Sequence, residues 1–283
     1  LIMKKILVPT DYSSLSINAL DFAIDLAQAS GAEIHLVHFL GTPIEPATFT
    51  ELLADNTESR TEFVSDLKLD HHKSKLNEIA SSKASLGIKI STELGGSGVV
   101  SGSEKYVSSF DIDLIVLGAD DVEDEKGEFP VKVSQELTQF VKVPVVSLTE
   151  HVDYVDLTKV VLGVDPVKNA DNSDLAKLIG PVLKSLDAHI HLVDVVKAGE
   201  VNHSDHNGKL EAFGNLADFG KFDVKVLEHE NDLEGILKYA DELDAGLVAV
   251  VSDGRPNIFR FFKDSFATTM VQATDLPVMV FNS

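Results

Sequence analysis

Residues 5–11 read Lys5-Ile6-Leu7-Val8-Pro9-Thr10-Asp11, and residues 159–165 read Lys159-Val160-Val161-Leu162-Gly163-Val164-Asp165. Both are short, almost continuously apolar runs that end on an aspartate. A strand buried on both faces of a parallel sheet reads this way, because neither face alternates with polar residues. The echo continues outward. Ala32-Glu33-Ile34-His35-Leu36-Val37-His38-Phe39-Leu40 is matched by Ala188-His189-Ile190-His191-Leu192-Val193-Asp194-Val195-Val196. Leu114-Ile115-Val116-Leu117 is matched by Leu247-Val248-Ala249-Val250, and Val143-Pro144-Val145-Val146-Ser147 by Leu276-Pro277-Val278-Met279-Val280. The same runs recur in the same order, so the chain is a tandem duplication of a unit of roughly 130–150 residues. The polar, acidic stretch from Thr149 to Asp156 separates the copies. It divides the 283 residues into domains at 1–150 and 151–283, in keeping with roughly 100–200 residues per domain.

Helical periodicity fills the gaps between runs. Leu20, Ala23, Ile24 and Ala27 fall at i, i+3, i+4 and i+7, with Ser13 or Ser14 as cap and Gly31 as stop. Residues 58–82 form a longer, charged amphipathic stretch, and Val133, Leu137 and Val141 mark a helix before the last strand of the first copy. Strands alternating with helices build βαβ units. The fold class is therefore α/β: two tandem doubly wound domains, each a parallel sheet with helices on both faces. Ligands of such open sheets sit outside the carboxyl ends of the strands.

Lys plus Arg number 24 against 46 Asp plus Glu, a formal net charge of -22. A surface this acidic repels phosphate backbones and anionic lipid, which argues against a nucleic-acid or membrane partner. No stretch approaches the roughly 20 apolar residues of a membrane span. Lys4-Lys5 and the run behind them look like the start of a signal peptide, but the run stops at Pro9 and Asp11, too short for one. Leu1 and Ile2 stand ahead of Met3 as a remnant or an unusual start. There is no cysteine, which excludes disulfides, thiolate catalysis, Fe–S clusters and Cys-based zinc sites. A cytoplasmic location is the expectation.

The opening Ile6-Leu7-Val8-Pro9-Thr10-Asp11-Tyr12-Ser13, the second run His35-Leu36-Val37-His38-Phe39-Leu40, the stretch Asp113 to Gly118 and the closing Val143-Pro144-Val145-Val146 resemble a universal stress protein domain. The resemblance covers nearly the whole chain twice, as in a tandem universal stress protein. It implies a five-stranded parallel sheet in each domain, of adenine-nucleotide α-hydrolase-like fold. It also implies pairing of domains through their last strands. Here residues 143–148 and 276–281 would pair within one chain and cover a sheet edge that otherwise invites aggregation. A homodimer of the whole chain stays open.

ATP-binding members of that family carry G-x2-G-x9-G-[ST] after the fourth strand. The first two glycines let backbone amides approach phosphate, and the closing pair sits at a helix N-terminus that attracts an anion. In the first copy Gly118 matches the first glycine, Asp121 stands at the second, and Val131-Lys132 stands at the closing pair. Asp120, Asp121, Glu123, Asp124, Glu125 and Glu128 surround Lys126 there, a solvated acidic lid opposed to a triphosphate. In the second copy Val251 replaces the first glycine, Gly254 keeps the second, and Asp264-Ser265 closes the motif. Arg255, Arg260 and Lys263 give this loop the charge that suits phosphate, whereas Asp264 at a helix N-cap competes with it. By the same resemblance Asp11 and Asp165 would contact adenosine, and Pro9, Phe39 and Val195 would flank the base. Gly163 stands in place of Pro9 in the second copy. An aspartate before a Ser-rich helix start also reads as an ordinary cap or turn residue. Phe259, Phe261 and Phe262 read as packing their loop onto the sheet.

His71-His72 follow Asp70 on a helix, and His203-x-x-His206 lies with Asp205 in what reads as a polar, solvated loop. No metal set is assigned to either. His38 reads as packed, and Gly95-Gly96-Ser97-Gly98 with Gly102 as a link from the third strand to the next helix. No nucleophile elbow, Walker A loop, HExxH, Ser-His-Asp set or catalytic carboxylate pair is readable, so no enzyme is expected. The expected function is stress-response binding and signalling. It involves an adenine nucleotide in the second copy, ATP or AMP with Mg only alongside it, and an unidentified protein partner. The alternatives are a non-nucleotide protein-interaction module and, behind it, a weak ATPase.

Overall fold

The computed structural model describes residues 3–40, 58–118, 131–148, 157–169, 171–199, 202–252 and 274–282. Its strands are β1 (Lys5–Pro9), β2 (Glu33–Phe39), β3 (Ile90–Gly95), β4 (Leu114–Gly118), β5 (Val145–Leu148), β6 (Lys159–Gly163), β7 (His189–Val196), β8 (Phe222–Glu228), β9 (Leu247–Ser252) and β10 (Val278–Asn282). Among the described residues the helices are α1 (Ser14–Ser30), α2 (Glu58–Ser82), α3 (Val99–Phe110), α4 (Val131–Phe140), α5 (Pro166–Asn169), α6 (Ser173–Lys184), α7 (His203–Leu216) and α8 (Asp232–Leu243).

The strands form one ten-stranded sheet in the order β3-β2-β1-β4-β5-β10-β9-β6-β7-β8. Within β1–β5 and within β6–β10 the pairing is parallel. β5 and β10 meet antiparallel, with Ser147 opposite Val278, Val146 opposite Met279 and Val145 opposite Val280. The last strands of the two halves thus pair within the chain.

Side chains of successive strand residues point to opposite faces, and the core divides accordingly. On one face a single apolar core runs through both halves. It joins Ile6, Leu36, Val116 and Val146 to Leu162, Leu192, Ala249 and Met279, under α1, α2, α6 and α7. The opposite face carries two cores. Leu7, Val37, Ile115 and Val145 pack under α3 and α4, and Val161, Val193, Val248 and Val280 pack under α8. Helix α1 follows its sequence signals. The Ser13 hydroxyl accepts from the Ser16 amide, Gly31 at φ 75° ends the helix, and Leu20, Ala23, Ile24 and Ala27 are buried.

Met279 and Val146 face each other at the junction, both 0% exposed. Met279→Ala is expected to cost about 2–5 kcal/mol. Urea denaturation followed by circular dichroism should show the midpoint falling. An unmoved midpoint would mean that the junction adds little to stability.

Candidate functional site

In each half the strand order turns back at the first strand. β1 lies between β2 and β4, and β6 lies between β7 and β9. The crevice outside the carboxyl ends of such strands is where a doubly wound sheet binds ligands. Because β5 and β10 are antiparallel, the two crevices open at opposite edges of the sheet.

In the first half, β1 ends on Pro9 and the chain turns at Thr10-Asp11. Asp11 Oδ1 accepts from the Ser13 amide at 3.0 Å and from the Ser13 hydroxyl at 2.6 Å. Burial works to raise the Asp11 carboxyl, but hydrogen bonds from Ser13 and Ser16 together hold it below the usual carboxylate range. Tyr12 takes a φ of 71°, left-handed backbone that costs a bulky residue on the order of 1 kcal/mol. A stack of rings holds it there. Tyr12 lies 4.5 Å from His38 and 5.6 Å from His72, and His38 lies 4.5 Å from His72. His38 Nδ1 donates to the Thr10 carbonyl at 2.7 Å, and the Tyr12 hydroxyl is 3.0 Å from His72 Nδ1. Lys75 Nζ sits 4.4 Å from the Tyr12 ring centroid. Burial, with His38, His71 and Lys75 nearby, pushes His72 below the usual imidazole range.

On the other face Phe39 packs edge-on against Tyr106 at 6.3 Å. Its ring also covers Gly95 and Gly102, where an added Cβ would come within 2.3 Å of it. At Gly118 a Cβ would meet Leu15 Cγ at 2.4 Å and the Leu15 carbonyl oxygen at 2.7 Å. This glycine lets the start of α1 close onto β4.

The second half places different chemistry at the same positions. Pro166 replaces Tyr12 and opens α5. Asp165 Oδ1 accepts from the Val167 amide at 2.9 Å, and its carbonyl accepts from Asn169 Nδ2 at 3.0 Å. Asp194 stands where His38 does and pairs with His206 Nδ1 at 2.5 Å. His206 in turn takes the place of His72, each lying four residues before a buried leucine, Leu210 or Leu76. Asp232 opens α8 behind the cap Asn231, whose Oδ1 accepts from the Leu233 amide at 3.0 Å. Burial pushes the Asp194 carboxyl up; His206 pulls against this, Asp165 adds to it, and the net direction is upward. Burial, then Asp194 and Asp165, push Asp232 up as well. Asp165, Asp194 and Asp232 therefore form a mutually repelling acidic cluster at this crevice. Val195, on the α8 face, meets Gly235, where a Cβ would lie 3.1 Å from Val195 Cγ1.

The model of the Universal stress protein family matches residues 3–148, more than half of the chain. The chain belongs to this family. A universal stress protein from Archaeoglobus fulgidus DSM 4304 superposes with a TM-score of 0.69 at 18% identity, covering 99% of this chain and 97% of that one. A protein of unknown function from Pseudomonas aeruginosa PAO1 superposes at 0.61 with 15% identity, over 99% of this chain and 92% of that one. No curated protein matches the sequence. The superposition runs through both halves, so residues beyond the matched segment share the fold.

Of the residues expected to bind nucleotide, Pro9, Asp11 and Gly118 reach the first crevice and Asp165 the second. Phe39 and Val195 lean on the glycines of α3 and α8. Gly254, Arg255, Arg260, Lys263 and Ser265 lie outside the described residues, as do the acidic stretch 120–128 and Phe259, Phe261 and Phe262. One expectation is corrected. His203 to His206 is not a loop but the first turn of α7, with the Asn202 side chain accepting from the Ser204 amide. Its residues are polar and weak helix formers, but the cap and the burial of Leu210 and Phe213 outweigh that. His203 faces Glu228 at 3.1 Å, Asp205 faces Lys209 at 2.7 Å and His206 faces Asp194, so they do not converge. Sequence reading missed the acidic cluster. The available signal was the change from His38 to Asp194 between otherwise matching strands.

A carboxylate held below its unfolded pKa, 3.8 for Asp11, contributes stability that is present above that pH and lost as pH falls below it. Asp11→Asn should therefore make the acid limb of a melting-temperature profile shallower, and an unchanged limb would refute the assigned hydrogen bonding. Gly118→Ala should cost about 1–3 kcal/mol through its clash with the Leu15 backbone. Gly96→Ala, with nothing within 4 Å of the new Cβ, should cost no more than about 0.5 kcal/mol. Chemical denaturation of both variants tests the contrast.

Proposed function

We propose that this tandem universal stress protein is a cytoplasmic binding protein of two domains, residues 1–150 and 151–283. It holds one adenine nucleotide at the carboxyl ends of β6, β7 and β9 without turning it over, and signals the bound state to a protein partner. The contrast between the two crevices carries the reading. Rings of Tyr12, His38 and His72 stack on one another at the carboxyl ends of β1 and β2 in the first. The second presents half-buried carboxyl groups, with Asp194 steadied by His206. Asp165 suits ribose hydroxyls as an acceptor. Burial pushes the Asp194 and Asp232 carboxyl groups above the usual carboxylate range, and both offer acceptor oxygens to a ligand. Past β9 the sequence supplies Gly254 and Ser265 for close approach to phosphate, and Arg255, Arg260 and Lys263 for charge. Mg accompanies the nucleotide only.

The same carboxylates, with Asp264 in the loop, favour a second reading: an interaction module that binds no nucleotide. Isothermal titration with AMP and, separately, Mg-ATP separates the two. The proposal expects one micromolar site per chain, lost in Asp165→Ala and Arg260→Glu and kept in Lys126→Glu. A stoichiometry of two would restore the first crevice as a site. No heat at millimolar nucleotide would leave the interaction module.

A further inference from the structure

At the amino end of β7, on the face under α8 and away from the crevice, His189, His191 and Asp223 bring one donor atom each to within 4.8 Å of one another. His189 and His191 are two apart on β7 and so project from the same face, with their rings stacked at 4.7 Å. Asp223 is the direct neighbour of His191 on β8, the outer strand of the sheet. His189 Nε2 lies 2.9 Å from Asp223 Oδ2. Yet that nitrogen is shielded from solvent and makes no hydrogen bond among the described residues, so the approach is off the line a hydrogen bond needs. The Tyr239 hydroxyl lies 3.4 Å from His191 Nδ1; in the tautomer whose Nδ1–H donates to that hydroxyl, Nε2 offers its electron pair to a ligand.

The equivalent place in the first half shows what the second has exchanged. There Glu33, His35 and Ser91 occupy the positions of His189, His191 and Asp223, and Tyr106 that of Tyr239. Both nitrogens of His35 are used, Nδ1 with the Tyr106 hydroxyl at 3.0 Å and Nε2 with Glu33 at 3.3 Å. Glu33 is neutralised by Lys89. In the second half Glu33 becomes a second imidazole and Ser91 a carboxylate. Lys221, in the position of Lys89, lies 3.8 Å from Asp187 instead. A hydrogen-bonded ion pair has been replaced by three electron-pair donors pointing at one place.

We propose that His189, His191 and Asp223 bind a divalent transition-metal ion of the zinc class, with water in the remaining position. Two imidazoles and a carboxylate form an ordinary nitrogen–oxygen donor set for such an ion, and three protein ligands leave one position open. The ion ties β8 to β7 at the outer edge of the sheet. It is one per chain, because the first half carries Glu33 and Ser91 instead.

Tag-free full-length protein titrated with Zn2+ in excess Mg2+ tests this, together with the visible spectrum of the Co2+ form. One tight equivalent of Zn2+ and the intense bands of four-coordinate cobalt are expected. His189→Glu and Asp223→Ser install the first half's residues, so both should fold. Each should weaken Zn2+ by more than the roughly 10–100-fold typical of losing an outer-shell partner. His203→Ala and His71→Ala should leave affinity unchanged. Absence of a tight equivalent would overturn the site, as would affinity that persists in both exchange variants or disappears in His203→Ala or His71→Ala.

Discussion

The antiparallel meeting of β5 with β10 is the contact on which the rest of the structure depends. β5 is only four residues long, but it closes two sheet edges at once. Left open, each edge would present unpaired backbone groups to any other strand. The pairing also fixes the relation between the halves. It puts α1 and α2 on the same face as α6 and α7, so one apolar core runs beneath all four. Because both strands belong to one chain, the junction forms at the effective concentration of a tether and needs no second subunit.

A covalent pair of units escapes a constraint that binds a symmetric dimer, in which every substitution appears in both sites. Here each crevice has its own chemistry on a shared scaffold. The exchange of His38 for Asp194 and of Tyr12 for Pro166 alters the crevice while the neighbouring strand residues, Leu36 and Leu192 or Val37 and Val193, stay buried and apolar. What differs is confined to the ends of strands, where burial does not dictate residue type. What is shared lies in their middles, where it does.

That division also explains what the sequence could reveal. The strand runs were legible because strands covered on both faces are continuously apolar, and the order of the runs gave the topology of each half. Helix α1 was legible from its cap, its stop and its buried stripe. The Tyr12–His38–His72 stack was not, since Tyr12 and His72 lie sixty residues apart and meet only once α2 packs beside β2. Helix α7 was hidden because its first turn is held by a cap and by two buried residues farther along, not by a periodic apolar stripe. Gly118 shows a third kind of difficulty. Motif spacing marks it as a phosphate-approach glycine, while the Leu15 carbonyl 2.7 Å from its missing Cβ gives a packing reason for the same residue. One glycine can satisfy both demands, and spacing alone does not separate them.

Strand β7 links the two places where the second half departs most from the first. Asp194 near its carboxyl end faces α7, whereas His189 and His191 near its amino end face α8. At about 3.3 Å per residue, His191 and Asp194 are roughly 10 Å apart along the strand, on opposite sides of the sheet. That is about one Debye length at moderate salt. His191 and Asp194 are largely shielded from solvent, so salt screens charge between them less than it would between exposed groups. β7 is paired on both sides, with β6 and with β8. A shift of this strand against its neighbours would be felt at both ends, and a cation tying β7 to β8 would resist it. Coupling between the two places would therefore draw on the register of β7 as well as on the charges at its ends.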